Sequence, residues 1–112
     1  MNWKNKFEHE IELALDVRNR GNQGQARVYA RRAAGIALRE YYQRCKLTAH
    51  STSAYDLLKE FSEMPGQPEK ARLAAEYLIL RVDDEFKLPA NIDLVNEAQI
   101  LAGILLPDPD FE

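Results

Sequence analysis

The 112-residue sequence predicts an all-α protein, an up-and-down antiparallel bundle of four to five helices. Apolar residues recur at helical spacing, and no segment shows the strict two-residue alternation of a β-strand. Short stretches rich in Gly, Pro, Asn and Ser separate the periodic segments. Hydrophobic residues make up 46% of the chain and charged residues 29%, as in folded globular proteins. We expect one helical domain over residues 1–106 and, because two prolines oppose helix there, a flexible tail over residues 107–112.

The predicted bundle is organised around its second helix, Gln25–Lys46. Small residues recur along one face of this helix and allow other helix axes to approach closely. They are Ala26, Ala30, Ala33, Ala34 and Ala37. Tyrosines and aliphatic residues extend the apolar surface around the circumference, so we expect this helix to be the most buried.

Four further helices are predicted from the same periodicity and from helix start and stop signals. The predicted bounds are Trp3–Arg18, Ser53–Glu63, Pro68–Asp83 and Ile92–Leu106. The link between the first two helices is short and contains two glycines, so these helices should form an antiparallel hairpin. Asn91 or Asp93 is suited to cap the fifth helix.

The composition also limits the class of protein. No apolar run approaches the roughly 20 residues that a membrane-spanning helix requires. The N-terminal stretch carries acidic residues where a secretory signal would carry an apolar core. The single cysteine, Cys45, has no internal disulfide partner. We therefore expect a cytoplasmic protein without a membrane partner.

Charge is distributed unevenly along the chain. Residues 1–46 contain ten Lys and Arg against five Asp and Glu, whereas residues 47–112 contain five against thirteen. A basic face for an anionic ligand would produce this asymmetry, and so would a bipolar chain that packs against a copy of itself. Solvated helix faces of different sign are the third interpretation. We expect a homodimer, with Trp3 and Phe7 or the fifth helix as the contact.

An arginine row on the second helix is the candidate ligand-binding surface. Its proposed binding residues are Arg31, Arg32 and Arg39. Attraction of phosphate is one role for such a row, and salt bridges to the acidic second half are the other. Tyr41 and Tyr42 are placed to stack on a base, although aromatic residues on so apolar a helix are usually core.

Arg44 and His50 form the candidate catalytic pair. A histidine that titrates near neutrality can move a proton, and a guanidinium can neutralise charge that develops on a phosphodiester. The turn between helices two and three offers a way to bring them together. No metal site and no cofactor are expected, because neither His9 nor the acidic run over residues 83–85 forms a convincing ligand set.

Two stretches resemble helices of HEPN domains (higher eukaryotes and prokaryotes nucleotide-binding). Residues 26–34 (ARVYARRAA), continued by residues 37–42 (ALREYY), resemble the second HEPN helix. His50-Ser51, followed by residues 54–58 (AYDLL), resembles the start of the third. The resemblance covers roughly residues 5–105, and it implies a helical bundle that is usually dimeric.

HEPN domains act as RNases, as toxin components, or as non-catalytic partners of small nucleotidyltransferases. The nucleases use an Arg and a His a few residues apart, and Arg44 and His50 have five residues between them. Here Cys45 follows the arginine, where the family commonly has a polar residue, and the pair lies earlier in the bundle than the family motif. The resemblance therefore implies a non-catalytic module that binds a nucleotide or RNA, or a partner of a nucleotidyltransferase. A helical protein–protein adaptor and a metal-independent RNase using Arg44 and His50 are the alternatives.

Overall fold

Five α-helices make up the part of the chain that the computed structural model describes, residues 2–80 and 92–107. They are α1 (Trp3–Asn19), α2 (Gln23–Arg44), α3 (Ala54–Ser62), α4 (Glu69–Leu78) and α5 (Leu94–Leu105). The described ranges contain no strand. The predicted all-α bundle is confirmed. The predicted tail falls largely on residues 108–112, which lie outside the described ranges.

Side-chain caps fix where four of the helices begin. Asn2 Oδ1 accepts a hydrogen bond from the backbone amide of Asn5 at 2.9 Å. Asn22 Oδ1 accepts one from the amide of Gln25 at 3.0 Å. Ser53 and Asp93 act in the same way for α3 and α5. Each cap satisfies an amide that has no partner within its own helix. Asp93 is one of the two caps predicted for α5.

The predicted bounds of α2 were wrong by two residues at each end. The helix begins at Gln23 because Asn22 supplies the cap. It ends at Arg44 because Lys46 adopts a left-handed backbone conformation with φ 57°. The amide of Leu47 then returns to the carbonyl of Tyr42 at 2.8 Å and closes the helix end.

The predicted end of α4 at Asp83 was also wrong. The helix ends at Leu78, and Ile79 forms a turn. The carbonyls of Leu78 and Leu80 accept hydrogen bonds from the side chain of Arg31 on α2. A tertiary contact therefore satisfies backbone groups that a longer helix would have satisfied internally. The predicted burial of Val82 concerns a residue outside the described ranges.

The core lies around α2, which packs against each of the other four helices. Four alanines of its small-residue stripe have no exposed surface. Gly35, also on α2, allows α3 to approach closely, since a Cβ atom added there would lie 2.8 Å from Cβ of Ala54 on α3. The six inward positions predicted on α5 are all buried: Leu94, Val95, Ala98, Leu101, Ala102 and Leu105. Across residues 2–80 and 92–107, no helix combines the length and apolarity needed to cross a bilayer.

Candidate functional site

Two arginines of the predicted row serve the bundle itself. Arg31 Nη2 donates to the carbonyl of Leu80 at 2.9 Å, and its guanidinium lies 5.9 Å from the ring centroid of Tyr55. Arg32 Nη2 pairs at 3.0 Å with Oε1 of Glu10, whose side chain is only 9% exposed. Arg31 therefore ties α2 to the end of α4, and Arg32 ties α2 to α1.

Arg39, the third predicted binding residue, lies at an open groove. The Trp3 groove, with a volume of about 520 Å³, lies where the N-terminal end of α1 passes the C-terminal half of α2. Its lining residues are Asn2, Trp3, Lys6, Ile36, Arg39, Glu40 and Gln43. One guanidinium nitrogen of Arg39 donates to the carbonyl of Thr52. A guanidinium has five N–H donors, so Arg39 has further donors available beside the groove.

An indole and two cations share this groove. Trp3 is half-buried, and its ring meets Phe7 edge-on with 6.1 Å between centroids. Phe7 is 1% exposed, so it holds the indole from the core side and is not available as a dimer contact. Lys6 is exposed, and within the described ranges no hydrogen bond or ion pair joins its side chain to another residue.

The acidic residue of the groove is neutralised by Arg44. Arg44 Nε donates to Oε2 of Glu40 at 2.9 Å, one helical turn earlier. The Glu40 carboxylate, which would repel an anion at this edge of the groove, is therefore paired with a cation. The groove therefore has a net positive charge, which comes from Lys6 and Arg39.

The predicted catalytic pair has two different sets of partners. Arg44 binds Glu40, whereas His50 Nδ1 donates to Oε2 of Glu60 at 2.8 Å. Within the described residues no hydrogen bond or ion pair joins Arg44 to His50. A catalytic role for either residue stays a prediction.

His50 instead belongs to a cluster with Glu60 and Tyr42. The hydroxyl of Tyr42 donates to Oε1 of Glu60 at 2.9 Å, so the carboxylate accepts from both side chains. These hydrogen bonds, first that from His50 and then that from Tyr42, lower the pKa of Glu60. Burial and the adjacent carboxylate raise the pKa of Tyr42. In the neutral ring, a proton on Nδ1 leaves Nε2 as an acceptor.

Sequence reasoning missed Glu60 as the partner of His50. Nothing in the spacing marked it, because Glu60 lies in the second half of α3, ten positions after the histidine. The groove beside the cluster, about 490 Å³, is lined by Tyr42, Leu47, Thr48, His50, Glu60 and Met64. Its described lining residues supply one imidazole and no guanidinium, so the predicted pair of groups for phosphodiester chemistry does not come together there. In residues 2–80 and 92–107, no three His, Cys, Asp or Glu side chains come together to hold a metal ion.

Comparison of the chain with models of protein families, with curated proteins and with solved structures finds no match. The resemblance to HEPN domains therefore rests on the residues that suggested it, and it stays a prediction.

Proposed function

We propose that the chain is a HEPN-like helical module that binds a nucleotide or RNA without cleaving it, and that the Trp3 groove is the binding site. The observation that carries this proposal is the presence of one indole, Lys6 and Arg39 along a single open groove. Aromatic rings stack on bases of any sequence, and cations beside them neutralise the phosphates. A groove with both features fits a nucleotide better than it fits an apolar ligand.

The arrangement assigns a part to each group. The indole of Trp3 stacks on a base, with Phe7 supporting it from behind. Lys6 and the free donors of Arg39 bind phosphate oxygens. The amide of Gln43, which is exposed on the same wall, is suited to hydrogen-bond a base edge or a ribose hydroxyl.

The adaptor alternative draws on the other two arginines. Arg31 and Arg32 are engaged with α4 and α1, so within the described ranges the predicted row is not one continuous basic face. Its Arg39 end lines an open groove. We therefore favour a small site for one or two nucleotides over an extended nucleic-acid surface.

Binding of a fluorescently labelled single-stranded RNA, measured by anisotropy, tests the proposal. Lys6→Ala should weaken binding and reduce the slope of log K against log salt by about 0.7, the value for one phosphate contact on a single strand. Lys70→Ala is the matched control, because Lys70 is also exposed but lies on α4. A mononucleotide competitor separates a nucleotide site from one that needs RNA.

Two outcomes would overturn the proposal. One is the absence of any saturable binding of RNA or mononucleotide by the parent chain. The other is an equal loss of affinity in Lys6→Ala and Lys70→Ala, which would indicate general charge attraction rather than a groove.

The RNase alternative has a separate test. Incubation of the parent chain with end-labelled RNA, without metal ions, should leave the RNA intact if the module only binds. Cleavage that disappears in His50→Ala would instead establish the nuclease. A nucleotidyltransferase partner stays a prediction, to be tested by copurification with such an enzyme encoded nearby.

A further inference from the structure

A second cavity lies at the opposite end of the α1–α2 hairpin from the Trp3 groove. The Arg27 cavity, which is open to solvent on one side and has a volume of about 380 Å³, lies between the last turn of α1, the first turns of α2 and the start of α5. Its lining residues are Arg18, Gln23, Ala26, Arg27, Ile92, Asp93, Leu94 and Val95. Its volume falls within the range of small-molecule sites, roughly 300–1,000 Å³.

Arg27 differs from the other arginines in the described residues. Each of the others has a hydrogen bond or an ion pair to a protein group. Within the same ranges, Arg27 has neither, although it is half-buried. A guanidinium that is partly withdrawn from water and has no protein partner loses hydration without compensation. An anion in the cavity would supply the missing hydrogen bonds.

The carboxylate of the cavity does not compete for Arg27. Asp93 Oδ1 accepts from Arg18 Nη1 at 3.0 Å and from the backbone amide of Asn96 at 3.2 Å. Its charge is therefore balanced by Arg18 and its position is fixed as the cap of α5. Among the described residues that line the cavity, Arg27 is therefore the charge without a counter-charge.

The wall of the cavity also contains apolar groups, in similar proportion to its polar ones. Ala26, Ile92, Leu94 and Val95 contribute aliphatic surface, and Gln23 adds an amide. A bare inorganic anion would leave this surface unfilled. A ligand with one oxyanion and a short apolar body would contact both the guanidinium and the aliphatic wall.

We propose that the Arg27 cavity is a second site, which binds a small organic oxyanion, a carboxylate or a phosphate monoester with a short alkyl or aryl body. Arg27 holds the oxyanion through its planar fork, and Gln23 donates a further hydrogen bond. The apolar body lies against Ile92 and Val95. The site is separate from the Trp3 groove, so the proposal made for each site can be refuted without affecting the other.

Titration of the ¹⁵N-labelled full chain with hexanoate, hexyl phosphate and acetate tests this site by NMR. Hexanoate or hexyl phosphate should shift the amides of residues 23–27 and 92–95 saturably, with a Kd on the order of millimolar. The stronger of the two identifies the carboxylate or the phosphate as the preferred oxyanion. Acetate should bind more weakly, because it lacks the apolar body.

Arg27→Gln should weaken binding by about 10-fold or more, the usual effect of losing a charged hydrogen bond. Arg27→Lys, which keeps the charge but not the fork, should bind with intermediate affinity. Arg20→Gln is the matched control and should bind as the parent does, since Arg20 is 74% exposed and pairs with Asp16. Retained amide dispersion in each variant shows that it is folded.

Either of two results would overturn the proposal. The first is the absence of amide shifts at residues 92–95 with both hexanoate and hexyl phosphate. The second is equal affinity of Arg27→Gln and the parent.

Discussion

Gly35 is the position where adding one carbon tests the packing of the bundle most directly. In Gly35→Ala, the new Cβ would lie 2.8 Å from Cβ of Ala54 and 3.3 Å from its Cα. Neither atom can rotate away, because one belongs to the backbone and the other is fixed to it. The α2 and α3 helices must therefore separate locally.

The expected loss of stability is the difference between two effects. Overpacking costs about 1–3 kcal/mol, and the upper half of that range, about 2–3 kcal/mol, applies here because a backbone must shift. Replacing glycine by alanine within a helix returns about 1 kcal/mol through helix propensity. The free energy of unfolding of Gly35→Ala should therefore fall by roughly 1–2 kcal/mol, which lowers Tm by roughly 4–10 °C in a domain of this size.

Urea denaturation followed by far-ultraviolet circular dichroism measures this change. Gly103→Ala is the matched control, because a Cβ at this α5 position meets no atom within 4 Å. It should stabilise the chain by about 0.5–1 kcal/mol. Gly35→Ala combined with Ala54→Gly should recover part of the loss, since the 2.8 Å contact is removed. A Gly35→Ala chain as stable as the parent would refute the close approach of α2 and α3.

Three further predictions concern ion pairs and association. Arg32→Ala should destabilise the chain by about 1–3 kcal/mol in urea denaturation, because it leaves the 7%-exposed Glu10 without its cation. Arg20→Ala, at an exposed pair, should change the stability by less than about 0.5 kcal/mol, and equal effects would contradict the role of Glu10. The pKa of Glu60 is lowered from its ordinary 4.5 in the folded chain, so this carboxylate stabilises the fold above pH 4.5 and the contribution is lost as pH falls through the lowered value. In His50→Ala, the midpoint of urea denaturation should fall less as the pH is lowered below 4.5. The same fall in midpoint as in the parent would argue against the hydrogen bond between His50 and Glu60. Light scattering at micromolar concentration should give the mass of a homodimer, as the charge asymmetry predicts, and a monomer mass would exclude it.

The sequence predicted the helices and their inward faces because periodicity is a local property. Residues three and four apart share one face of a helix whatever surrounds it. That is why all six inward positions of α5 could be named in advance. Asp93, one of the two caps predicted for α5, likewise acts through a contact only three residues long.

The end of α4 could not be predicted because it depends on a distant residue. Arg31 lies 47 positions before Leu78, and its side chain satisfies the carbonyls at which the helix stops. The apolar pattern itself continues past this point. Only the packing of α2 against α4 determines where the helix ends.

The candidate site was predictable only in part for the same reason. Arg39 was selected as a binding residue, whereas Trp3 was expected at a dimer contact and Lys6 was given no role in binding. Their convergence depends on how the start of α1 lies against the end of α2. Similarly, His50 was selected from its loop position, whereas its partner Glu60 is set by the packing of α3.

The emission of Trp3, the single tryptophan of the chain, tests the proposed nucleotide site most directly. Stacking of a base on the indole should quench this emission saturably during titration with a short single-stranded RNA, at the same concentrations at which anisotropy reports binding. Lys6→Ala should shift the quenching curve to higher RNA concentration, and Lys70→Ala should leave it unchanged. Binding by anisotropy with no change in Trp3 emission would place the ligand elsewhere and contradict the proposed site.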